Sequence, residues 1–199
     1  MPASDVSICS NASLLLGGLP INDLGESTDR ALLAANLFDD VRDSVQRSHP
    51  WNCCIKRVAL APDTTAPAFD WAYQFTLPPD YLKALSVGEA GGEAPYRVEG
   101  GKLLCDDNPA LLRYVARNTN PATWDAMLVE AMTLAMAAKM AYPITQSTTL
   151  RDSFRQQLEM HLKRARAADG QEDTPESLGD SPMLSARLGG SLGNIWRSN

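Results

Sequence analysis

The chain has few of the residues from which catalytic centres are built. Only two histidines, His49 and His161, occur in 199 residues. No HExxH, P-loop or GxGxxG pattern is present, so zinc-protease, phosphate-cradling and dinucleotide chemistry have no signature here. His49 stands before Pro50 at a helix end, where capping or packing is its natural role. The four cysteines, Cys9, Cys53, Cys54 and Cys105, form no CxxC pair, and their spacing does not suit zinc. On a strand, adjacent Cys53 and Cys54 would point to opposite faces. All four read as reduced core thiols of a protein made in a cytoplasm. Neither a metal nor another cofactor is expected, and no enzyme activity. Excess positive charge is lacking too: the formal net charge is -6. That argues against tight nucleic-acid binding, which needs Lys and Arg clusters, but suits a protein past which DNA slides. The first residues lack the basic-then-apolar pattern of a signal peptide. No unbroken apolar stretch of membrane-spanning length is found, so no membrane anchor is expected.

What is present is ordered periodicity. Ser4 or Asp5 can cap a first helix running to about Leu16, with Val6, Cys9, Ala12, Leu15 and Leu16 apolar and Gly17-Gly18 as the stop. Ser27 or Thr28 can cap a second helix from Asp29 to about Ser48. Its apolar stripe is Ala34, Leu37, Phe38, Val41 and Val45, with Asp39, Asp40, Arg42, Asp43 and Gln46 assigned to water. Pro50 ends it.

From Asn52 to Ala116 the pattern predicts short strands: 52–60, Trp71–Leu77, Leu82–Gly88, the pair 96–99 and 102–105 joined by Gly100-Gly101, and Leu111–Ala116. Asn120-Pro121 predicts the start of a third helix, running to about Tyr142 and closed by Pro143. Its stripe of Trp124, Leu128, Ala131, Ala135, Ala138 and Tyr142 points to burial. Thr149 with Asp152 matches a capping box opening a fourth helix, whose apolar positions are Leu150, Phe154, Leu158, His161 or Leu162, and Ala165. Gly170 is its natural end.

The expected fold class is α+β: an antiparallel bundle of about four helices (residues 1–51 and 117–170), a small antiparallel β insertion (52–116) and an extended C-terminal arm (171–199). The arm is too polar and glycine-rich to fold a core alone. It still carries Met183, Leu184, Leu188, Leu192, Ile195 and Trp196, interleaved with Arg187 and Arg197. Spaced apolar anchors of this kind suit a segment that orders on a partner.

Several segments, in order, resemble one family. They are Ile8–Ala12 leading to Leu14–Gly17, then Asp29-Arg30-Ala31, Val41-Arg42-Asp43, Arg47-Ser48-His49-Pro50-Trp51-Asn52, and Tyr73-Gln74-Phe75-Thr76-Leu77-Pro78-Pro79-Asp80-Tyr81-Leu82. The chain to about Gly170 is similar to the tail tubular protein A family, the head-to-tail adaptors of short-tailed bacteriophages. The resemblance implies a virion protein of the neck, made in the host bacterial cytoplasm, forming a ring homo-oligomer of about twelve copies. Such a ring joins the portal protein to the tail nozzle or tail tube protein, with DNA only as passing cargo. It implies that Leu184, Arg187, Leu188, Leu192, Ile195, Trp196 and Arg197 form a portal-docking arm, and that residues 52–116 face the tail. Two other readings stay open: a hydrolytic enzyme using Asp39, Asp43 or His49, and a small DNA-binding module using Lys163, Arg164 and Arg166.

Overall fold

The computed structural model describes the backbone of residues 2–89 and 92–172, and the side chains of those up to residue 167. The residues with described side chains belong to one compact unit, Met1–Ala167. Helix α1 spans Asp5–Leu15. Ser4 is its cap: the Ser7 amide donates to Ser4 Oγ at 3.1 Å, and the Ser4 amide donates to Ser7 Oγ at 2.9 Å. Two of the amides a helix start leaves unpaired are thereby satisfied. Helix α2 spans Asp29–Ser48 and is capped by Thr28, whose hydroxyl accepts from the Ala31 amide at 3.3 Å. His49 is extended, as a residue before proline must be. The Trp51 indole then folds back to donate to the Val45 carbonyl at 3.2 Å.

Asn52–Cys54 is a single 3₁₀ turn, not the start of a strand. The strands are β1 Ile55–Leu60, β2 Tyr73–Thr76, β3 Tyr81–Glu89, β4 Gly92–Glu93, β5 Tyr96–Glu99, β6 Lys102–Cys105 and β7 Ala110–Ala116. They form two antiparallel sheets, ordered β1-β7-β3-β4 and β2-β6-β5. The β5–β6 hairpin lies where the sequence placed it. Its Gly100 and Gly101 have φ of +56° and +77°, the two positive values a tight I′ turn demands.

This architecture overturns the expected helical bundle with a small β insertion. Among the described residues the protein is mixed α/β: four helices and seven strands in two sheets. The strands are not an appendage, because β1 pairs with β7 across the whole intervening segment, from Ile55 opposite Val115 to Leu60 opposite Ala110. The sheets enclose a core of their own, with Phe75, Leu103 and Cys105 from one facing Val87, Leu112 and Tyr114 from the other. Strand β7 also serves the helices: Val115, with Leu82 of β3, belongs to the helical core. Alternate side chains of a strand point to opposite faces, so β7 is buried on both sides.

Helix α3 spans Ala126–Thr145. The Asn120-Pro121 signal is spent on a short 3₁₀ turn, Pro121–Thr123, and α3 is capped by Asp125, which accepts from the Met127 amide at 2.7 Å. Trp124 therefore precedes the helix. Pro143 does not close it either: α3 continues to Thr145 and ends at Gln146, in the left-handed conformation. The ring removes the amide that would bond the Lys139 carbonyl, and Lys139 is an exposed residue of the helix.

By length and composition alone α3 could span a membrane, contrary to the expectation that no stretch could, and 56% of that window is buried inside the protein. Helix α4 spans Thr148–Glu172, running past Gly170. Ser147, rather than Thr149, supplies its cap, accepting from the Leu150 amide at 3.1 Å. Asp152 instead pairs with Arg151 at 2.9 Å.

Candidate functional site

The most polar part of the helix–sheet boundary is a seam between α2 and the end of β7. Arg42 and Gln46 were expected in water; both are buried, Gln46 completely. They lie four residues apart, beside the Val41–Val45 stripe, so one helical face carries both apolar and polar rows. Gln46 acts as a two-pronged clamp on one residue of the chain leaving β7. Its amide donates to the Asn118 carbonyl at 2.8 Å, and its Oε1 accepts from the Asn118 amide at 3.0 Å. A buried amide with both ends satisfied stabilises where an unpaired one would cost. Asn118 spreads the connection further, its side chain donating to the Cys53 carbonyl at 2.9 Å and to Thr123 Oγ1 at 3.0 Å. The Trp124 indole also donates to the Asn118 carbonyl, at 3.2 Å.

Charge follows the same line. Asp43 accepts from Arg42 at 3.0 Å and from Arg117 at 2.7 Å. Burial works to raise its pKa, but the hydrogen bonds from Arg117 and Arg42 outweigh this and hold the carboxyl below the usual range. Such a group is a weak base whose lone pairs are occupied. Asp39 pairs with Arg42 at 2.7 Å, with its own side chain 77% exposed. His49 is 4% exposed and packs edge-on against Trp51, ring centroids 4.7 Å apart. Asp39 in water and His49 in the core do not form one reactive surface.

Asp80 lies on the sheet side of the boundary. It takes Lys56 at 2.6 Å and the Tyr114 hydroxyl at 3.0 Å. Burial raises its pKa, but these two bonds prevail and it lies below the usual carboxylate range. Tyr114 is pushed up to about 12 by burial and by that hydrogen bond. Arg47 of α2 donates to the Leu82 carbonyl of β3.

Two hollows flank the seam. One, of about 260 Å³, is lined by Cys53, Cys54, Lys56, Ala116, Arg117, Asn118 and Thr119. The other, about 340 Å³, is a groove of α2, α3 and α4 where Leu37, Val41 and Leu158 adjoin Asp40, Lys139 and Arg155. Cys53 and Cys54, expected to point apart, sit with sulfurs 3.9 Å apart because the 3₁₀ turn does not alternate its side chains. Among the described residues no three His, Cys, Asp or Glu side chains gather to hold a metal ion.

Lys163, Arg164 and Arg166 are all exposed on α4, and Arg166 donates to the Ser48 carbonyl at 3.4 Å. His161 turns inward, with Nε2 2.8 Å from the Met127 carbonyl oxygen. The expected portal-docking residues Leu184, Arg187, Leu188, Leu192, Ile195, Trp196 and Arg197 lie outside the described residues. So does Ser191, in a Gly-x-Ser-x-Gly stretch at 189–193 that is a hydrolase signature only on a strand–turn–helix. What the sequence did not reveal was the clamp: Gln46 and Asn118 are 72 residues apart, and only the four-residue step from Phe38 through Arg42 to Gln46 hinted that the polar row is buried. No protein-family model matches the chain, and no curated protein matches it.

Proposed function

We propose that the chain is a structural virion protein, a head-to-tail adaptor similar to the tail tubular protein A family. The observation that carries this reading is what the resembling segments do. Arg47–Asn52 and Tyr73–Leu82 meet across the helix–sheet boundary, where Arg47 reaches the Leu82 carbonyl and His49 packs on Trp51. Asp80, in the second segment, fastens Lys56 of β1 and Tyr114 of β7. Motif residues spent on holding layers together suit a scaffold that presents surfaces, whereas a reactive centre needs groups left available.

Exposed apolar side chains support the same reading. Leu19 is 75% exposed in the loop after α1, and Leu14, Leu15 and Leu32 are about half exposed. Phe69 stands 76% exposed between β1 and β2. Such side chains suit contacts with other chains. A ring of identical subunits uses head-to-tail interfaces, so each copy needs two different complementary faces. In this reading the partners are other copies of the chain, the portal protein through residues 171–199, and the tail nozzle or tail tube through the sheets. DNA passes through the ring, and many arms docking together give avidity.

The test is native mass spectrometry of the protein mixed with the portal ring of its own phage. The expected result is a complex carrying about a dozen copies, reduced or lost when the chain is cut after Gly170. A monomer that never joins the portal would sink the proposal. The exposed Lys163, Arg164 and Arg166 support a second reading, a DNA-binding module, whose mark would be DNA affinity that falls steeply with salt.

A further inference from the structure

Of the four cysteines, Cys9, Cys54 and Cys105 are buried, and only Cys53 is partly exposed, on the wall of the 260 Å³ hollow. Its sulfur lies 3.9 Å from that of Cys54. The Asp125 backbone amide, at the N-cap of α3, a helix of 20 residues, favours negative charge on it. The amide end of a helix favours a negative sulfur. We propose that Cys53 and Cys54 are an oxidisable vicinal dithiol, a modification site for peroxides, with Cys53 the attacking thiolate and Cys54 the resolving thiol.

The electrostatics agree with that division. The contact with the Cys54 thiol draws Cys53 down towards the thiolate, and the Asp125 amide adds to this, while burial and the Asp125 carboxylate oppose it. Cys54 is driven up by the same contact and by burial, and stays a thiol. Elsewhere burial, with the Asp5 carboxylate adding to it, raises Cys9 up to about 12, and burial chiefly raises Cys105. One sulfur of the four is therefore both reachable and ready.

The chemistry balances without a metal. The Cys53 thiolate attacks one oxygen of hydrogen peroxide, the O–O bond breaks, and the departing hydroxide takes a proton to become water. Cys53 is left as a sulfenic acid. The Cys54 sulfur attacks the Cys53 sulfur, the S–O bond breaks, and the leaving hydroxide takes the Cys54 proton as a second water. Two thiols and one peroxide give one disulfide and two waters. Adjacent Cα atoms lie about 3.8 Å apart, below the usual range for bridged cysteines, so the bond is strained and easily reduced. Closing it also reshapes the turn whose Cys53 carbonyl accepts from Asn118, which ties the redox state to the α2–β7 seam.

The experiment treats the intact folded chain with hydrogen peroxide, quenches, unfolds, alkylates and digests with trypsin. Cleavage after Arg47 and Lys56 gives a peptide, residues 48–56, holding both cysteines and no other. The expected product is that peptide two hydrogens lighter and unalkylated, restored by a dithiol reductant. It should form at least about tenfold faster than any loss of Cys9 or Cys105 thiol. With Cys54→Ser, Cys53 should stop at the sulfenic acid and be trapped by dimedone; with Cys53→Ser, Cys54 should stay alkylatable. Phenylarsine oxide, which needs two neighbouring thiols, should bind the unmodified chain and neither variant. Should a variant not fold, the unmodified chain decides: both cysteines still alkylatable, Cys9 or Cys105 reacting as fast, or a disulfide between two chains in place of the internal one would each overturn the assignment.

Discussion

Ten buried side chains of α3 include five alanines and three methionines, whereas the core between the sheets is closed by Phe75, Leu103, Leu112 and Tyr114. The helical layer gains contact by proximity: small residues let backbones approach, and flexible methionines fill what remains. The sheets stand farther apart by geometry, about 10 Å face to face, and need large side chains to fill the space. The two regions should therefore fail in opposite ways. Taking volume away injures the sheets most, and adding volume injures the helices.

The largest effect should come from Phe75→Ala. The ring is fully buried, and its loss leaves a cavity between two sheets that cannot both collapse onto it. A cost of about 3–5 kcal/mol is expected, read as a lowered midpoint in urea unfolding. The opposite experiment is Ala137→Leu in α3. Ala137 is fully buried, and the added carbons must push neighbours off their rotamers, costing about 1–3 kcal/mol. If Ala137→Leu were neutral, the helical layer would have to be loosely packed and the comparison would break.

Between the two regions lies the clamp. Gln46→Ala leaves the Asn118 amide without the Gln46 acceptor and its carbonyl with the Trp124 indole in place of two donors, and a loss of about 1–3 kcal/mol is expected. Trp51 and Trp124 both touch this seam, so their fluorescence should shift in Gln46→Ala and hold steady at low denaturant in Phe75→Ala. The seam also has a pH signature. Asp43 is depressed in the folded chain, so the unfolded chain binds its proton more readily. Its contribution is present in full above the ordinary carboxylate pKa and is lost as pH falls through the lower folded value, below about pH 4. Asp43→Asn should flatten the acid limb of a stability–pH curve while lowering stability at neutral pH.

Elements governed by neighbours in sequence were legible from residues alone. The caps at Ser4 and Thr28 and the Gly100-Gly101 hairpin needed only a local hydroxyl or a positive φ. Strong local signals also misled. Asn120-Pro121 does bond as a cap, but a 3₁₀ turn satisfies it before α3 begins. The two-sheet core was hidden because β1 pairs with β7 over some fifty residues, and no short window contains both. The seam was hidden for the same reason. Polarity at Arg42, Asp43 and Gln46 reads as a wet face unless Arg117 and Asn118 are known to lie opposite.

The smallest effect tests whether the helical layer tolerates an unanswered charge. Asp5, in the first turn of α1, has one carboxylate oxygen buried with no hydrogen-bond partner. Burial raises its pKa, with Arg42 pulling it back and Asp39 adding to the rise. The folded chain therefore binds this proton more tightly than the unfolded one. Stability from this group is present below the unfolded pKa and falls as pH rises through the folded value. Asp5→Asn should raise the melting temperature slightly at neutral pH and leave it unchanged near pH 3. A drop at neutral pH would mean that the attraction of Arg42 and the helix amides outweighs desolvation. The seam would then extend its charge pairing to α1, and the contrast between a tolerant helical edge and the paired Arg42–Asp43–Arg117 seam would narrow.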